Sequence, residues 1–491
     1  MSDMPLADDV DRERPPLPPR RERIRALSDR LAAERAGWIE RNRYFHEQDR
    51  RYMRFLVPAG SRVLELGCGI GDLLAALEPS AGLGIDFSPA MIALARQRHP
   101  TLSFAIGDVE APETIERIEG RFDYVILSDL IGALDDCEAT LRQLHRVCTR
   151  QTRLIVAYYS PLWAPLLRLG ERVGQKMPDE PHNFLSLHDI ANLCDLAGFE
   201  LIKRDWRQLV PRRLFGLGHA VNRHIGTLPG IRTLALRNYL MARSLAHAGD
   251  DPPRSVSVVI PCRNERGNIE PAVRRLPAMA EQMEIIFVEG HSRDDTLAEI
   301  NRVAASHPEL DIKVLVQDGV GKGDAVRKGF DQASGDVLMI LDADLTMPPE
   351  QLPKFWQALA SGKAEFANGS RLVYPLEHES MRFLNHIANR AFSRLFTWLL
   401  NQRFTDTLCG TKAISRDNYR RLAANRAFFG DFDPFGDFDL IFGASRLNLK
   451  TVEIPIRYQS RAYGSTQISR FRHGLILARM VLFAYRKLKA L

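Results

Sequence analysis

Two aspartates, Asp342 and Asp344 in "ILDADLT", close a short apolar run. Carboxylates two positions apart at a strand end repel unless a positive group lies between or beside them. A hard divalent cation bridging a diphosphate supplies that charge: Mg2+ or Mn2+ takes few carboxylates and otherwise phosphate and water. A second constellation lies near the other end of the chain, where Glu65 precedes Gly67, Gly69 and Gly71 in "VLELGCGIG". Glycines at that spacing let the backbone turn sharply and approach a ligand, because no Cβ stands in the way. Asp86, in "GIDFSPAMI", follows at about the 20-residue distance that suits hydrogen bonding to ribose hydroxyls.

These residues need strand ends to hold them. "SRVLELGCGIGDLLAAL" (61–77) reads as strand, glycine turn, helix. Further strands are expected to end at Asp86, at Asp108 in "LSFAIGDVEAP", and at Ser128 and Asp129 in "FDYVILSDLIGAL". Dinucleotide-binding folds use the same physics, but the spacing here is G-x-G-x-G and not G-x-G-x-x-G. After residue 254 the scheme restarts: "SVSVVIPCRNERGNI", "MEIIFVEGHSRDDTLAEI" and "GDVLMILDADLT" each pair a buried strand with polar residues. Strands alternating with helices imply largely parallel sheets, whose ligands collect at the strands' carboxyl ends. Between the halves, Gly249, Asp250, Asp251, Pro252 and Pro253 break any helix or strand.

The first set of motifs resembles the class I S-adenosylmethionine-dependent methyltransferases, over about residues 35–245. The resemblance implies that Glu65, Gly67, Gly69 and Gly71 surround the methionine part of S-adenosylmethionine, Asp86 the ribose and Asp108 the adenine, with Asp129 at the same edge. It further implies a late antiparallel hairpin from "FELIKRDWRQL" and "RNYLMARSL". In "RNRYFHEQDRRYMRFL" (41–56), which looks like a lid helix, Tyr44 and His46 are candidates to reach the methyl group; a surface position for His46 is the alternative. Tyr158 and Tyr159 are candidate acceptor contacts, though packing explains two tyrosines equally well.

The second set, "VVIPCRNE", "FVEGHSRDDT", "GKGDAVRKG", "GDVLMILDAD", "DTLCGTKAIS" and "EIPIRYQSRAYGST", resembles family 2 glycosyltransferases of the GT-A fold, and within them the polyprenyl-phosphate (dolichol-phosphate mannose synthase-like) branch. That implies Pro261, Asn264 and Glu265 lining the nucleoside pocket, Glu289 on the base, and Lys322 and Arg371 near the diphosphate. It also implies Asp342 on the ribose or metal, Asp344 on the metal, and Arg461 clamping the leaving diphosphate. Asp437 and Asp439, in "FGDFDLIF", are the candidate bases. One departure stands out: the family's second strand usually ends in two aspartates and glycine-serine, whereas here it reads Glu289, Gly290, His291, Ser292. The identity of the donor nucleotide, GDP or UDP, hangs on that change.

The expected fold class is therefore α/β, two Rossmann-like domains in tandem. The boundaries read as a disordered proline-rich tail at 1–20, a methyltransferase domain at 21–248, a linker at 249–254, a glycosyltransferase domain at 255–470 and a basic amphipathic helix at 471–491. The expected function is bifunctional. A sugar passes from a nucleotide-sugar donor to a lipid-linked or other glycan acceptor with Mg2+ or Mn2+, and a related glycan or lipid intermediate of the bacterial cell envelope is methylated. The alternatives are a first half that binds S-adenosylmethionine without turnover, or a second half acting as a sugar-phosphate nucleotidyltransferase. The latter leaves "RAYGST" and "DTLCGTK" unexplained.

Totals bound the setting. The 491 residues suffice for two to four domains, and 45% hydrophobic with 26% charged residues is ordinary soluble composition. The single cysteines Cys68, Cys137, Cys148, Cys194, Cys262 and Cys409 have no metal-type spacing and fit a reducing, cytoplasmic setting. The net charge of +6 is concentrated late, and nothing acidic follows Glu453. That basic end reads as a contact for phosphorylated substrate or the inner membrane face rather than nucleic acid, with a merely solvated basic surface as the alternative. In "MRFLNHIANRAFSRLFTWLLNQRF" the residues Leu384, Ile387, Ala388, Ala391, Leu395 and Leu399 share a helical face, suited to covering a sheet or lying in a membrane interface.

Overall fold

The computed structural model describes residues 18–180, 183–374, 383–428, 438–461, 463 and 478–490. The chain forms two compact units, one up to Ala248 and one beginning at Gly249.

In the first unit the apolar runs form β1 (Arg62–Leu66), β2 (Ala81–Asp86), β3 (Ser103–Ile106), β4 (Tyr124–Ser128), β5 (Arg153–Tyr159), β6 (Phe199–Arg207) and β7 (Arg237–Ser244). They make one sheet in the order β3-β2-β1-β4-β5-β7-β6. The first five strands are parallel, while β7 runs antiparallel to both β5 and β6. Alternate residues of β1 and β4 enter different cores: Leu64, Leu66, Val125 and Leu127 pack on one face. Val63, Tyr124 and Ile126 pack on the other, with Tyr52, Met53 and Leu56. A sheet covered on both faces explains why its strands read as continuous apolar runs. Two helices precede the sheet, α1 (Pro19–Arg41) and α2 (Arg43–Leu56). The buried residues of α2, Phe45, Asp49, Tyr52, Met53 and Leu56, recur at one-face helical spacing, and Asp49 is the polar exception. From β1 the chain moves first toward β3 and then back across to β4, so a crevice opens at the carboxyl ends of β1 and β4.

In the second unit the strands are β8 (Ser255–Cys262), β9 (Gln282–Glu289), β10 (Asp311–Val316), β11 (Val337–Ile340), β12 (Phe366–Ser370), β13 (Lys412–Ser415) and β14 (Thr451–Pro455). Their order is β10-β9-β8-β11-β13-β12-β14. The strands β10, β9, β8 and β11 are parallel, and β13 is antiparallel to both its neighbours. The crossover from β10 back to β11 places the switch point between β8 and β11, where Asn264, Glu265, Asp342 and Asp344 follow the strand ends.

The helix Phe383–Leu400 buries Phe396, Leu399 and Leu400, whereas Ala391 and Leu395 face solvent. The buried stripe is thus offset from the face read off the sequence; the side chains of Leu384, Ile387 and Ala388 lie outside the described set. The C-terminal segment buries Met480, Ala484 and Leu488, and Tyr485 stacks on Trp398 at 5.8 Å. These three side chains are thus packed on protein, while Leu482 of the same segment is half exposed. Among the described residues no helix is long and apolar enough to cross a membrane.

Candidate active sites

The first site forms where β1 turns. Gly67, Gly69 and Gly71 have φ of 73°, 52° and 77°, a left-handed run that bulky residues avoid. At Gly71 an added Cβ would strike the Phe104 ring at 2.6 Å, so this glycine lets the turn pack on β3. At Gly69 an added Cβ would meet no protein atom within 4 Å, since it would project into a cavity of about 400 Å3 that Gly69 lines. Gly67, Asp86, Asp108 and Asp129 line the same cavity, together with His46, Tyr158 and Tyr159.

Glu65 and Gly71 do not line it. Glu65 is buried beneath the turn, where desolvation pushes its carboxyl well above the usual range against the Leu74 N–H. Its Oε2 has no hydrogen-bond partner among the described residues. Asp86 braces the turn: its carboxylate accepts from Gly69 N at 2.9 Å and Ser88 N at 3.0 Å. Burial raises Asp86 and these two N–H groups partly offset the shift. Asp108 is ion-paired with Arg21, which also reaches Glu110 at 3.2 Å. Tyr44 accepts from Asn222 Nδ2 at 3.1 Å and lies off the cavity.

Sequence reading placed the lid in α2, but α1 supplies more of the wall, including Arg21, Arg35 and Trp38. It also missed a buried network behind the cavity. Arg237 donates to Asp49 Oδ1 at 2.9 Å, to Ser128 Oγ at 2.9 Å and to Asp129. The Tyr239 hydroxyl donates to Asp49 as well. Desolvation alone would lower Arg237, but Asp129 and Asp49 raise it well above its ordinary value. Burial, then nearby Arg35, lowers His46 to about 4, so its imidazole is neutral at neutral pH. Burial keeps Tyr158 and Tyr159 as phenols. An open cradle at Gly69 and two carboxylates at successive strand ends fit S-adenosylmethionine.

The second site gathers at the ends of β8, β9 and β11. Glu289 accepts from Ser292 N at 2.5 Å, and Ser292 Oγ accepts from Asn264 N at 2.9 Å. Ser292, the position of the stretch after β9 that keeps the usual serine, ties the β8 and β9 loops together. Pro261 pairs with Val288 in the sheet, one residue from Glu289. Asp342 pairs with Lys322 at 2.5 Å; burial pushes its carboxyl up, but Lys322, with Lys412 and Arg371, holds it below the usual range. Arg461 bridges Asp344 at 2.7 Å and Glu265 at 3.0 Å. Burial raises Glu265 in spite of that partner.

Arg371 sits in a buried pair with Asp406, Nε to Oδ2 at 2.7 Å and Nη2 to Oδ1 at 2.9 Å. Its two-pronged bond holds the "DTLCGTK" segment against β12. Lys412 of that segment is fully buried and acts on Asp342, a role sequence reading missed. Asp439 pairs with Arg426 at 3.1 Å. Asp437 and residues 464–477 lie outside the described set.

No cluster of three potential metal ligands occurs among the described residues. Asp342 and Asp344 still fit Mg2+ or Mn2+ of the kind that takes few protein carboxylates and completes its shell with diphosphate and water.

Comparison with known proteins assigns each unit. Residues 38–204 match the model of a methyltransferase domain, and residues 257–422 that of glycosyl transferase family 2. The dolichol-phosphate mannosyltransferase of Saccharomyces cerevisiae is 38% identical over 109 residues, which cover 21% of this chain and 40% of that protein. The chain thus spans well under two-thirds of that relative's length. A SAM-dependent methyltransferase of Thermotoga maritima, described as a possible histamine N-methyltransferase, superposes at 18% identity and TM-score 0.35, covering 45% of this chain and 99% of its own. Glucosyl-3-phosphoglycerate synthase of Mycobacterium tuberculosis, solved with Mn2+, UDP and glucosyl-3-phosphoglycerate, does so at 18% identity and TM-score 0.35, covering 48% and 80%.

Proposed function

We propose that this chain, which carries a methyltransferase domain followed by a family 2 glycosyltransferase domain, performs two transfers. In the second unit a sugar moves from a nucleotide-sugar donor to a lipid-linked, polyprenyl-phosphate-type acceptor. In the first, a methyl group moves to a related glycan or lipid intermediate.

One observation carries the sugar transfer: two strand-end aspartates at the switch point of the second sheet, each already matched by a cation, Lys322 or Arg461. When bound, Mg2+ or Mn2+ supplies positive charge to the departing diphosphate. Asp344 and Asp342 would hold it. Lys322 and Arg461 then exchange part of their carboxylate partnership for diphosphate oxygens, which stabilises the leaving group without a proton transfer. Asn264, Glu265 and Glu289 would hold the nucleoside. Asp437 or Asp439 would take the proton of a hydroxyl acceptor, or orient a phosphate acceptor that needs no base.

S-adenosylmethionine, when bound, supplies an activated methyl group. Asp86 and Asp108 would hold its ribose and adenine, and Arg21 must share or release Asp108 to admit the base. His46 stays neutral, the tyrosines stay protonated and Asp129 is held by Arg237, so no strong base faces the cavity. That favours proximity as the main catalytic contribution and an acceptor that needs little proton removal.

Calorimetric titration of UDP and GDP with Mn2+ tests the sugar-transfer reading. Metal-dependent binding by the wild type and its loss in Asp344→Ala is the expected result, and the tighter nucleotide names the donor class. Equal binding by the variant removes Asp344 from the metal site.

A further inference from the structure

Two insertions wall one side of the methyltransferase cavity. Between β5 and the helix Leu187–Leu196 come Trp163, Leu166 and Leu167; between β6 and β7 come Pro211 and Arg212. The insertions are tied to each other. Trp163 Nε1 donates to Leu234 O at 2.9 Å, and Arg212 donates to Gln175 Oε1 at 2.7 Å.

Away from the cavity, both insertions present apolar side chains to solvent. The helix Ala164–Arg172 buries none of its residues, and Leu162 and Leu169 are each more than half exposed. In the second insertion Leu214 and Leu217 are more than half exposed and Phe215 is fully so. The backbone there is strained: Leu214 and Phe215 take φ of 45° and 54° in succession, a region that bulky residues rarely enter. Strain that leaves a phenyl ring in water earns nothing for this fold, and such outliers point to function.

Charge identifies the occupant. From Gln208 to Leu236 the chain has four arginines and no Asp or Glu. Arg212 and Arg213 are exposed beside Leu214 and Phe215, as are Arg168 and Arg172 on the first insertion, whose acids Glu171, Asp179 and Glu180 each lie within ion-pair distance of a cation, Lys176 or Arg23. Apolar side chains interleaved with exposed arginines match the interface of an anionic bilayer.

We propose that the two insertions dock the methyltransferase unit on an anionic membrane surface, so that its cavity opens at the lipid–water boundary and receives a lipid-carried acceptor. This rests on the methyltransferase reading above and narrows its acceptor to an amphiphile.

The test uses the full chain, floated with phosphatidylcholine vesicles with and without phosphatidylglycerol, and two variants, Phe215→Ser/Leu217→Ser and Arg213→Glu. Both variants are checked by thermal melting, and S-adenosylmethionine binding is measured by calorimetry. The wild type is expected to float with the anionic vesicles, and each variant to lose about fivefold or more in partitioning while keeping cofactor affinity. Flotation unchanged in both variants, or absent in the wild type, overturns the docking surface and leaves the methyltransferase reading standing. A wild type that fails to bind S-adenosylmethionine removes the methyltransferase reading itself. Self-association in ultracentrifugation that the same substitutions abolish, without vesicle binding, assigns the surface to a second copy and also overturns the proposal.

Discussion

Arg461 donates to Asp344 at 2.7 Å, reaching back across 117 residues of chain, and its other terminal nitrogen holds Glu265 at 3.0 Å. One guanidinium thus fastens the loop after β8 to the loop after β11. Its planar fork spans two carboxylates, which an ammonium point charge does less well. Arg461→Lys is expected to lower kcat/KM for sugar transfer about tenfold and Arg461→Ala about a hundredfold, the scale of losing one preorganised charge partner. Steady-state kinetics with the nucleotide-sugar chosen by calorimetry checks this; an alanine variant at wild-type efficiency excludes Arg461 from the site.

Gly410 lies against the other aspartate. An alanine Cβ there would stand 2.1 Å from Asp342 Oδ2 and 2.2 Å from Lys322 Nζ, so the ion pair must move. Gly410→Ala is expected to weaken Mn2+-dependent nucleotide binding about tenfold, at a stability cost of about 1–3 kcal/mol. Calorimetry and urea denaturation measured together separate the two effects. Gly335→Ala is the control, since its Cβ would crowd Ser257 and the backbone of β8. It should destabilise without a matching loss of nucleotide affinity.

What was legible in the sequence was local. Glycines at 67, 69 and 71 and aspartates at 342 and 344 announce their chemistry by spacing, because a single turn or strand end holds each set. The late hairpin of β6 and β7 was anticipated only through the family resemblance, since neither "FELIKRDWR" nor "RNYLMARS" alternates apolar with polar residues. Partnerships across the chain were not legible. Nothing near Arg237 points to Asp49, which is 188 residues away, and Arg371 gives no sign that Asp406 neutralises it. The wall built by α1 escaped for a related reason. Its sequence is too polar to show a long stripe, because Arg21 and Arg35 face a ligand cavity and only a short apolar patch, Leu31 and Ala32, is fully buried.

The network behind that cavity gives a stability prediction. Arg237 is 1% exposed and Asp49 is buried with it. Removing one partner of a buried pair leaves an uncompensated charge, at a cost of about 3–5 kcal/mol. Arg237→Met is expected to lose stability on that scale, and Arg237→Met/Asp49→Asn to regain part of it, because the stranded carboxylate is gone. Urea denaturation of the full chain tests the pair. A double variant less stable than the single one would show that Asp49 is held mainly by Tyr239.

His46 supplies a pH dependence whose sign is fixed by its surroundings. Burial and Arg35 lower its folded-state value to about 4, against 6.5 when exposed. The unfolded chain therefore binds this proton more readily than the folded one between those limits. Stability from His46 is fully present above pH 6.5 and is lost as pH falls toward 4. The shift corresponds to roughly 3 kcal/mol at the acid end of that window. The melting transition of the methyltransferase unit, identified by its upward shift with S-adenosylmethionine, should fall across that range in the wild type. It should fall distinctly less in His46→Gln, which keeps a polar side chain but takes up no proton. Parallel pH profiles for the two proteins would mean that His46 is solvated and titrates normally, and its place beside the methyl-transfer cavity would need revision.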